Sequence, residues 1–413
     1  MASKDLMPVR AGFLPLTDAA ILIAAREKGF AALEGIDLIL HREASWANIR
    51  DRLSVGHFQV AHLLAPMPIA AKLGLTPMPL DLIAPMALGL GGNAVTIAKA
   101  HMPKIRELLP VGELGAGPAG KALAGLVAAR KAAGEPPMTL AVVHPHSGHN
   151  YDLRYWLSAS GVDPTRDVDI VIVPPPLMAD ALEAGRIDGF CVGEPWSSVA
   201  MARGAGEIIT TKSSIWRSSP EKVLGVTGDF HRREPAAVHA LLRSLVRAAK
   251  WCGDRENFEE LSMILGGAPY LDQPPHLVLQ ALAGRFAYPD GTEVRAPAFF
   301  MPYERAATFP WLSHALWFYS QMARWGDAPW SVENARAAQS TFRPDIYRAA
   351  LSGIAAALPS ANAKVEGALD VQLPVGSSQE ALVLGPDGFF DGKVFDPDLV
   401  EAYVHDQMGG KGV

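Results

Sequence analysis

Three histidines, His144, His146 and His149, stand close together in "HPHSGHNYDLRYW" and run straight into a stretch patterned as a helix. Neutral imidazoles are good zinc ligands, and the H-x-H spacing sets two of them on one face of a strand. Pro145 breaks the ladder between those two. No H-E-x-x-H or C-x-x-C accompanies them, and no paired carboxylates lie nearby to orient the rings. A metal site is therefore poorly supported, which leaves structural or surface histidines and an anion site.

His149 differs from the other two because it directly precedes "NYDLRYWL", where the apolar and aromatic spacing marks a helix start. There it lies near unpaired N–H groups and the positive end of the helix. An imidazole donor beside such amides can hold an anion; a capping or core histidine is the competing reading. Ser147 next to His146 and His149 suggests a nucleophile, but no G-x-S-x-G elbow is present and neighbours in sequence do not define a triad. "GLGGNA" is too short a match to a dinucleotide fingerprint, and there is no P-loop.

The elements that must position these residues alternate. Short β-branched runs, "IDLIL", "LAVV" and "VDIVIV", are interleaved with helical patterns such as "DAAILIAAREKGF" and "AAVHALLRSLVRAAKWC". Such alternation predicts an α/β protein with largely parallel sheets. An internal echo divides the alternation in two: "DRLSVGHFQVAHLLAP" and "DALEAGRIDGFCVGEP" align without a gap. Asp51, Leu53, Gly56 and Pro66 match Asp180, Leu182, Gly185 and Pro195 at a constant offset. Pro15 and Pro145 likewise close a strand before a helix. The sequence therefore predicts two α/β lobes whose strand-end loops face one another, with the ligand between them.

The expected boundaries are residues 1–98 for the first part of lobe I and 99–221 for lobe II. Residues 222–352 are a mainly helical return to lobe I, opening with the strand "KVLGVTGDF". Residues 353–413, rich in Ala, Gly and Pro with weak periodicity, are expected to form a tail or loosely packed arm.

Composition narrows the function. The 413 residues are 49% hydrophobic and 19% charged, which suits a globular chain. The 37 basic and 43 acidic residues are mixed along the chain without a basic block, against direct nucleic-acid binding. Cys191 and Cys252 form no metal or disulfide pattern and read as reduced core residues. No apolar run is long enough for a membrane span, and "MASKDLMPVRAGFLPL" lacks the apolar segment of a secretory signal, so the expected location is cytoplasmic.

Several longer motifs in fixed order carry a resemblance: "PLTDAA", "REASWANIRDRL", "AHLLAPMP", "HNYDLRYWL", "DGFCVGEPW", "PEKVLGV" and "FPWLSHALWF". From about Val9 to about Tyr347 they resemble the nitrate-binding, NrtA-like receptors of ABC transporters, and most of all their NasS-type cytosolic branch, which senses nitrate or nitrite. The resemblance implies a type II periplasmic-binding-protein-like fold, two α/β lobes around a ligand cleft. It implies no enzyme activity, no cofactor and no metal.

Carried over by motif, the ligand-facing positions are Trp46, Asn93, His149, Pro175, Val192, Gly193, Glu194 and Lys222. A small flat anion needs several directed donors and a cation. In this reading Lys222 supplies the charge, His149 and Asn93 donate in the plane, and Trp46 offers an N–H and an apolar wall. Glu194 fits awkwardly, because a carboxylate repels an anion, so its main-chain N–H is the expected contact. The family's transport receptors often carry glutamine where this chain has Asn93, which leaves the balance between nitrate and nitrite open.

The resemblance further implies a partner, a NasT-type RNA-binding antiterminator with an ANTAR domain, held inactive until nitrate or nitrite arrives. The alternatives are a transport receptor for nitrate or nitrite and a bicarbonate receptor. The aromatic stretch "FPWLSHALWFYSQMARWG" suits either core or a partner surface, with core favoured.

Overall fold

A computed structural model describes residues 6–296, 298–354 and 356–408. Ten strands build two sheets: β1 (Met7–Phe13), β2 (Ile36–Arg42), β3 (Val60–Leu64), β4 (Leu82–Ala87), β5 (Asn93–Ala98), β6 (Met138–Val142), β7 (Val168–Ile172), β8 (Gly189–Gly193), β9 (Gly206–Thr211) and β10 (Lys222–Thr227). The first sheet runs β2-β1-β3-β10-β4 and the second β7-β6-β8-β5-β9. In each, three parallel strands are followed by an antiparallel one and then the edge strand. The two sheets thus share one strand order, which is the structural counterpart of the sequence echo. Gly56 and Gly185, matched in that echo, both take left-handed φ just past a helix, at 72° and 65°, where glycine carries no Cβ penalty.

One boundary moves. β5 belongs to the second sheet, so the chain enters the second lobe at Asn93 and not after Ala98. Its side of the expected 98/99 boundary was hidden because "NAVTIA" reads as a buried strand in either lobe. β10 then returns the chain to the first sheet.

The two crossings between lobes pair with each other. Gly91 N–H donates to Ser219 O at 3.0 Å and Leu88 N–H to Lys222 O at 2.8 Å. Gly91 has φ +79°, and a Cβ there would stand 2.2 Å from Phe299 O. "GLGG" is therefore a crossing that only glycine can make.

The helices that matter for the site are α1 (Ala20–Glu27), α2 (Trp46–Ser54), α3 (Pro66–Lys72), α4 (Gly148–Ala159), α5 (Trp196–Ala202), α6 (Pro235–Gly253), α7 (Leu312–Arg324) and α8 (Val400–Gln407). α6 begins at a proline whose fixed φ suits the first helical position. It buries Val238, Leu241, Leu242, Leu245 and Ala249, one helical stripe packed on α1. α7 is buried around its whole circumference, Trp317, Phe318 and Tyr319 included, so the aromatic stretch is core. Among the described residues no helix is long and apolar enough to cross a membrane. Cys191 and Cys252 are buried and free.

The C-terminal segment is an arm, but not a loose one. Phe389 stacks on Trp216 with ring centroids 4.6 Å apart and lies against Tyr155 and Trp317. Phe390 N–H donates to Ile215 O at 2.9 Å, and Tyr155 OH donates to Asp391 at 2.9 Å. α8 then packs on α7. Weak periodicity misled the sequence reading because this packing comes from isolated aromatic anchors and not from a repeating stripe.

The arm should matter to stability. Phe389→Ala removes the ring from a buried aromatic cluster and is expected to cost about 3 kcal/mol in urea unfolding. A loss below about 1 kcal/mol would show that the arm is not anchored there.

Candidate functional site

Trp46 and His149 each sit in the first turn of a serine-capped helix. Ser45 Oγ accepts from Asn48 N–H at the head of α2, and Ser147 Oγ accepts from Asn150 N–H at the head of α4. The caps fix both helix starts and hold the indole and the imidazole on opposite sides of the cleft, one from each lobe. Asn93 opens β5 opposite Gly193 at the end of β8. Lys222 opens β10, directly after the second crossing.

Between them runs a buried chain of charges. Lys222 Nζ lies 2.8 Å from Asp18 Oδ2 and 2.8 Å from Glu221 Oε1. The other oxygen of Glu221 lies 2.5 Å from Lys212 Nζ, which is itself 2.5 Å from Asp152 Oδ2. His62 Nε2 stands 2.9 Å from Asp18 Oδ1, off the line of a directed hydrogen bond, and His149 Nδ1 stands 3.3 Å from Glu221 Oε1. Gly148 is required here, since a Cβ would fall 2.4 Å from Glu221 Oε2.

The candidate donors converge on this chain. The Trp46 ring centroid is 5.6 Å from Lys222 Nζ and 5.4 Å from the His62 ring. A Cβ on Gly193 would lie 3.3 Å from Asn93 Oδ1 and 3.5 Å from Asp18 Oδ2, so glycine there leaves the amide and the carboxylate room to approach. Trp46, Asn93, His149, Glu194 and Lys222 are all buried. Among the described residues, Trp46 Nε1, both amide atoms of Asn93, both ring nitrogens of His149 and the Thr17 hydroxyl have no hydrogen-bonding partner. Each buried polar group without a partner costs about 1–3 kcal/mol, so donors clustered in this way are arranged for a polar guest.

The lobes touch at this site through their main chains. Thr17 N–H donates to Glu194 O at 2.7 Å, and Trp196 Nε1 donates to Pro15 O at 3.1 Å. Val192 pairs with Ala94 inside the second sheet. Pro175 is buried in the segment after β7, at the same end of that sheet as the head of α4, which carries His149, because β6 and β7 are parallel.

Burial and neighbours set the charge states. Burial alone would raise Asp18, but Lys222 and His62 outweigh it and hold the carboxyl down to about 2. Burial likewise opposes ionisation of Glu221, yet the surrounding cations keep it well below the usual range. Burial pushes His149 down to about 3, so that imidazole is neutral at physiological pH, and burial also lowers His62 against the pull of Asp18. Lys212 is raised to about 12, because Asp152 and Glu221 outweigh its burial. Burial pushes Asp152 up to about 6 and Glu194 up to about 7.

Two expectations change. Lys222 is not a free cation, since Asp18 and Glu221 already share its ammonium. The Glu194 N–H is not a free donor either: it is bonded to Gly92 O at 3.0 Å. Both partners come from elements distant in sequence, which motif reading does not reach. Of the residues it did not single out, Asp18, His62, Asp152, Lys212 and Glu221, two carry a signal: Asp18 in "LTDAA" and His62 in "VAHLL" are each a charged or polar residue set among apolar or small neighbours. His144 and His146 serve locally. His144 Nδ1 accepts from His146 N–H, and His146 faces Tyr151 OH, which donates to Asp327.

The NMT1-like family model matches residues 3–266. The nitrate/nitrite binding protein NrtA of Synechococcus elongatus is 31% identical, over 97% of this chain and 86% of its own length. The bicarbonate-binding protein CmpA of a Synechococcus strain is 26% identical over the same shares. The crystal structure of the periplasmic nitrate-binding protein NrtA from Synechocystis PCC 6803 superposes with a TM-score of 0.84 at 27% identity, covering 98% of this chain and 99% of that one.

Lys222→Met strands Asp18 and Glu221 in the interior and is expected to cost about 3–5 kcal/mol in denaturant unfolding at neutral pH. Adding Asp18→Asn should recover part of the loss; a single-variant cost below about 1 kcal/mol would contradict the network. Because the Asp18 pKa falls from 3.8 to about 2 on folding, its stabilisation is complete above about pH 4 and disappears as pH falls toward 2. Over that window Asp18→Asn should lose less stability than the unaltered protein, as read by tryptophan fluorescence.

Proposed function

Since the chain belongs to the NMT1-like family, in the branch of NrtA-type binding proteins, we propose that it binds nitrate or nitrite between its lobes and serves as the substrate-binding receptor of an ABC importer. The observation that carries this reading is the convergence of buried, partnerless donors from both lobes on Lys222. Trp46 comes from the first lobe, His149 and Asn93 from the second, and the ammonium from the crossing. A planar oxyanion accepts in its plane from several directions, which suits an indole N–H, an imidazole N–H and an amide held at fixed angles. Neutral His149 donates without adding charge, and Trp46 closes the site to water.

The binding step is lobe closure. Donors divided between lobes are satisfied together only in the closed arrangement, so a guest that bridges them stabilises closure by its differential affinity. The bicarbonate reading uses the same cleft. Its relative shares the same overlap with this chain, and the ligand titration below separates the two.

The motif resemblance supports a second reading, a cytosolic sensor in which closure is read by a NasT-type ANTAR antiterminator. The two readings share the site and differ in what recognises the closed form. Recovery of such a partner with the native protein, in an anion-dependent manner, would favour the sensor; recovery with a membrane permease would favour the receptor.

Isothermal titration should give heat at one site per chain with sodium nitrate or nitrite. His149→Ala and Trp46→Phe should each weaken binding roughly tenfold, the worth of one buried hydrogen bond. Heat from bicarbonate alone would move the assignment to that anion. No heat and no thermal stabilisation with any of the three would overturn the reading.

A further inference from the structure

The ion pairs at the seam between the lobes leave little positive charge to spare for a guest. Two ammonium groups, Lys212 and Lys222, stand against three carboxylates, Asp18, Asp152 and Glu221, and each carboxylate has an oxygen 2.5 or 2.8 Å from an ammonium nitrogen. A guest there is held by directed N–H donors and not by a surplus of cations. Each unit of negative charge it brings adds repulsion where dielectric screening is weak.

Of the three carboxylates, Asp18 is the one set among the candidate donors. Lys222 Nζ lies 2.8 Å from its Oδ2, and His62 Nε2 lies 2.9 Å from its Oδ1. The Trp46 ring adjoins both of those partners, with its centroid 5.6 Å from Lys222 Nζ and 5.4 Å from the His62 ring. On the second-lobe side, the point that a Cβ on Gly193 would fill is 3.5 Å from Asp18 Oδ2 and 3.3 Å from Asn93 Oδ1. The first-lobe carboxylate and the second-lobe amide therefore border the same small space. Thr17, the residue before Asp18, fixes it at the seam by donating its N–H to Glu194 O at 2.7 Å. Asp152 is turned instead to Lys212, which also takes the second oxygen of Glu221.

We propose, resting on the anion-binding reading above, that Asp18 sets the charge selectivity of the site, so that monoanions are admitted and dianions of similar size are excluded. A monoanion shares Lys222 with Asp18 and satisfies the donors of Trp46, Asn93 and His149. A dianion meets the same donors but brings a second unit of charge against a fixed carboxylate, while both lysines of the site are already paired. Rejection thus comes from a built-in repulsive element and not from missing contacts. The carboxylate keeps its charge throughout the physiological range: burial opposes ionisation, but Lys222 and His62 outweigh it and hold the group down to about 2.

The test is calorimetric titration of the full chain with sodium nitrate, alone and against sodium sulfite, at about pH 9 and constant ionic strength. Sulfite is then a dianion with three oxygens. The unaltered protein should bind nitrate and show no displacement by millimolar sulfite. Asp18→Asn leaves Glu221 on Lys222 and should bind sulfite, with the nitrate-to-sulfite affinity ratio falling on the order of a hundredfold, the effect of one unit charge about 5 Å away at the screening typical of proteins. Asp18→Glu, which keeps the charge, should go on excluding sulfite. If Asp18→Asn folds only with a guest present, urea unfolding with nitrate or sulfite reads the same preference as ligand stabilisation; a variant that neither anion rescues makes Asp18 a structural residue and overturns the proposal. Sulfite displacing nitrate from the unaltered protein, or Asp18→Asn still refusing sulfite, overturns this inference alone. No heat with nitrate in the unaltered protein removes the anion-binding reading first.

Discussion

The Glu221 carboxylate holds the molecule's centre together. One oxygen meets Lys222, the other meets Lys212, and His149 leans on the first. Lys222 begins the antiparallel strand between β3 and β4 of the first sheet, Lys212 follows the edge strand of the second, and His149 heads a second-lobe helix. Replacing a buried ion pair by apolar groups is often neutral, but removing one partner leaves an expensive orphan. The network is thus costly to assemble and costlier to break in part, which ties the geometry of the crossing to that of the site.

That arrangement also explains why the donors can wait unpartnered. Trp46, Asn93 and His149 spend interior polarity that folding alone would not select. Their rigid supports, serine caps and a strand register, come from ordinary local rules. The cost is localised where a guest can offset it, while the charges that would otherwise destabilise the same space are neutralised by one another.

Much of the architecture was legible in the sequence because it is periodic. The strand–helix alternation and the matched glycines at 56 and 185 follow from side-chain period and helix termination, which are local. His149 was legible for the same reason, since a serine cap and a helix start are read within a few residues. What lay hidden was pairing across distance: Asp18 on Lys222, Gly92 on Glu194, Phe389 on Trp216. None of these leaves a repeating trace. The side on which "NAVTIA" lies was hidden too, because a fully buried strand looks alike in either sheet.

The strand orders have a consequence for how the chain is put together. All five strands of the second sheet come from one continuous stretch, residues 93–211, whereas β10 lies between β3 and β4 in the first. Until Lys222–Thr227 exists, the first sheet has a gap between β3 and the edge strand β4, and the edges of those two strands that β10 will pair have no partner in it. Joining β3 to β10 closes a loop that contains the whole second lobe, and loop closure is cheaper when that lobe is already compact. During synthesis the second lobe can therefore complete its sheet before the first, and the ion pairs around Glu221 form with the arrival of β10, sealing the seam where two separately formed bodies meet.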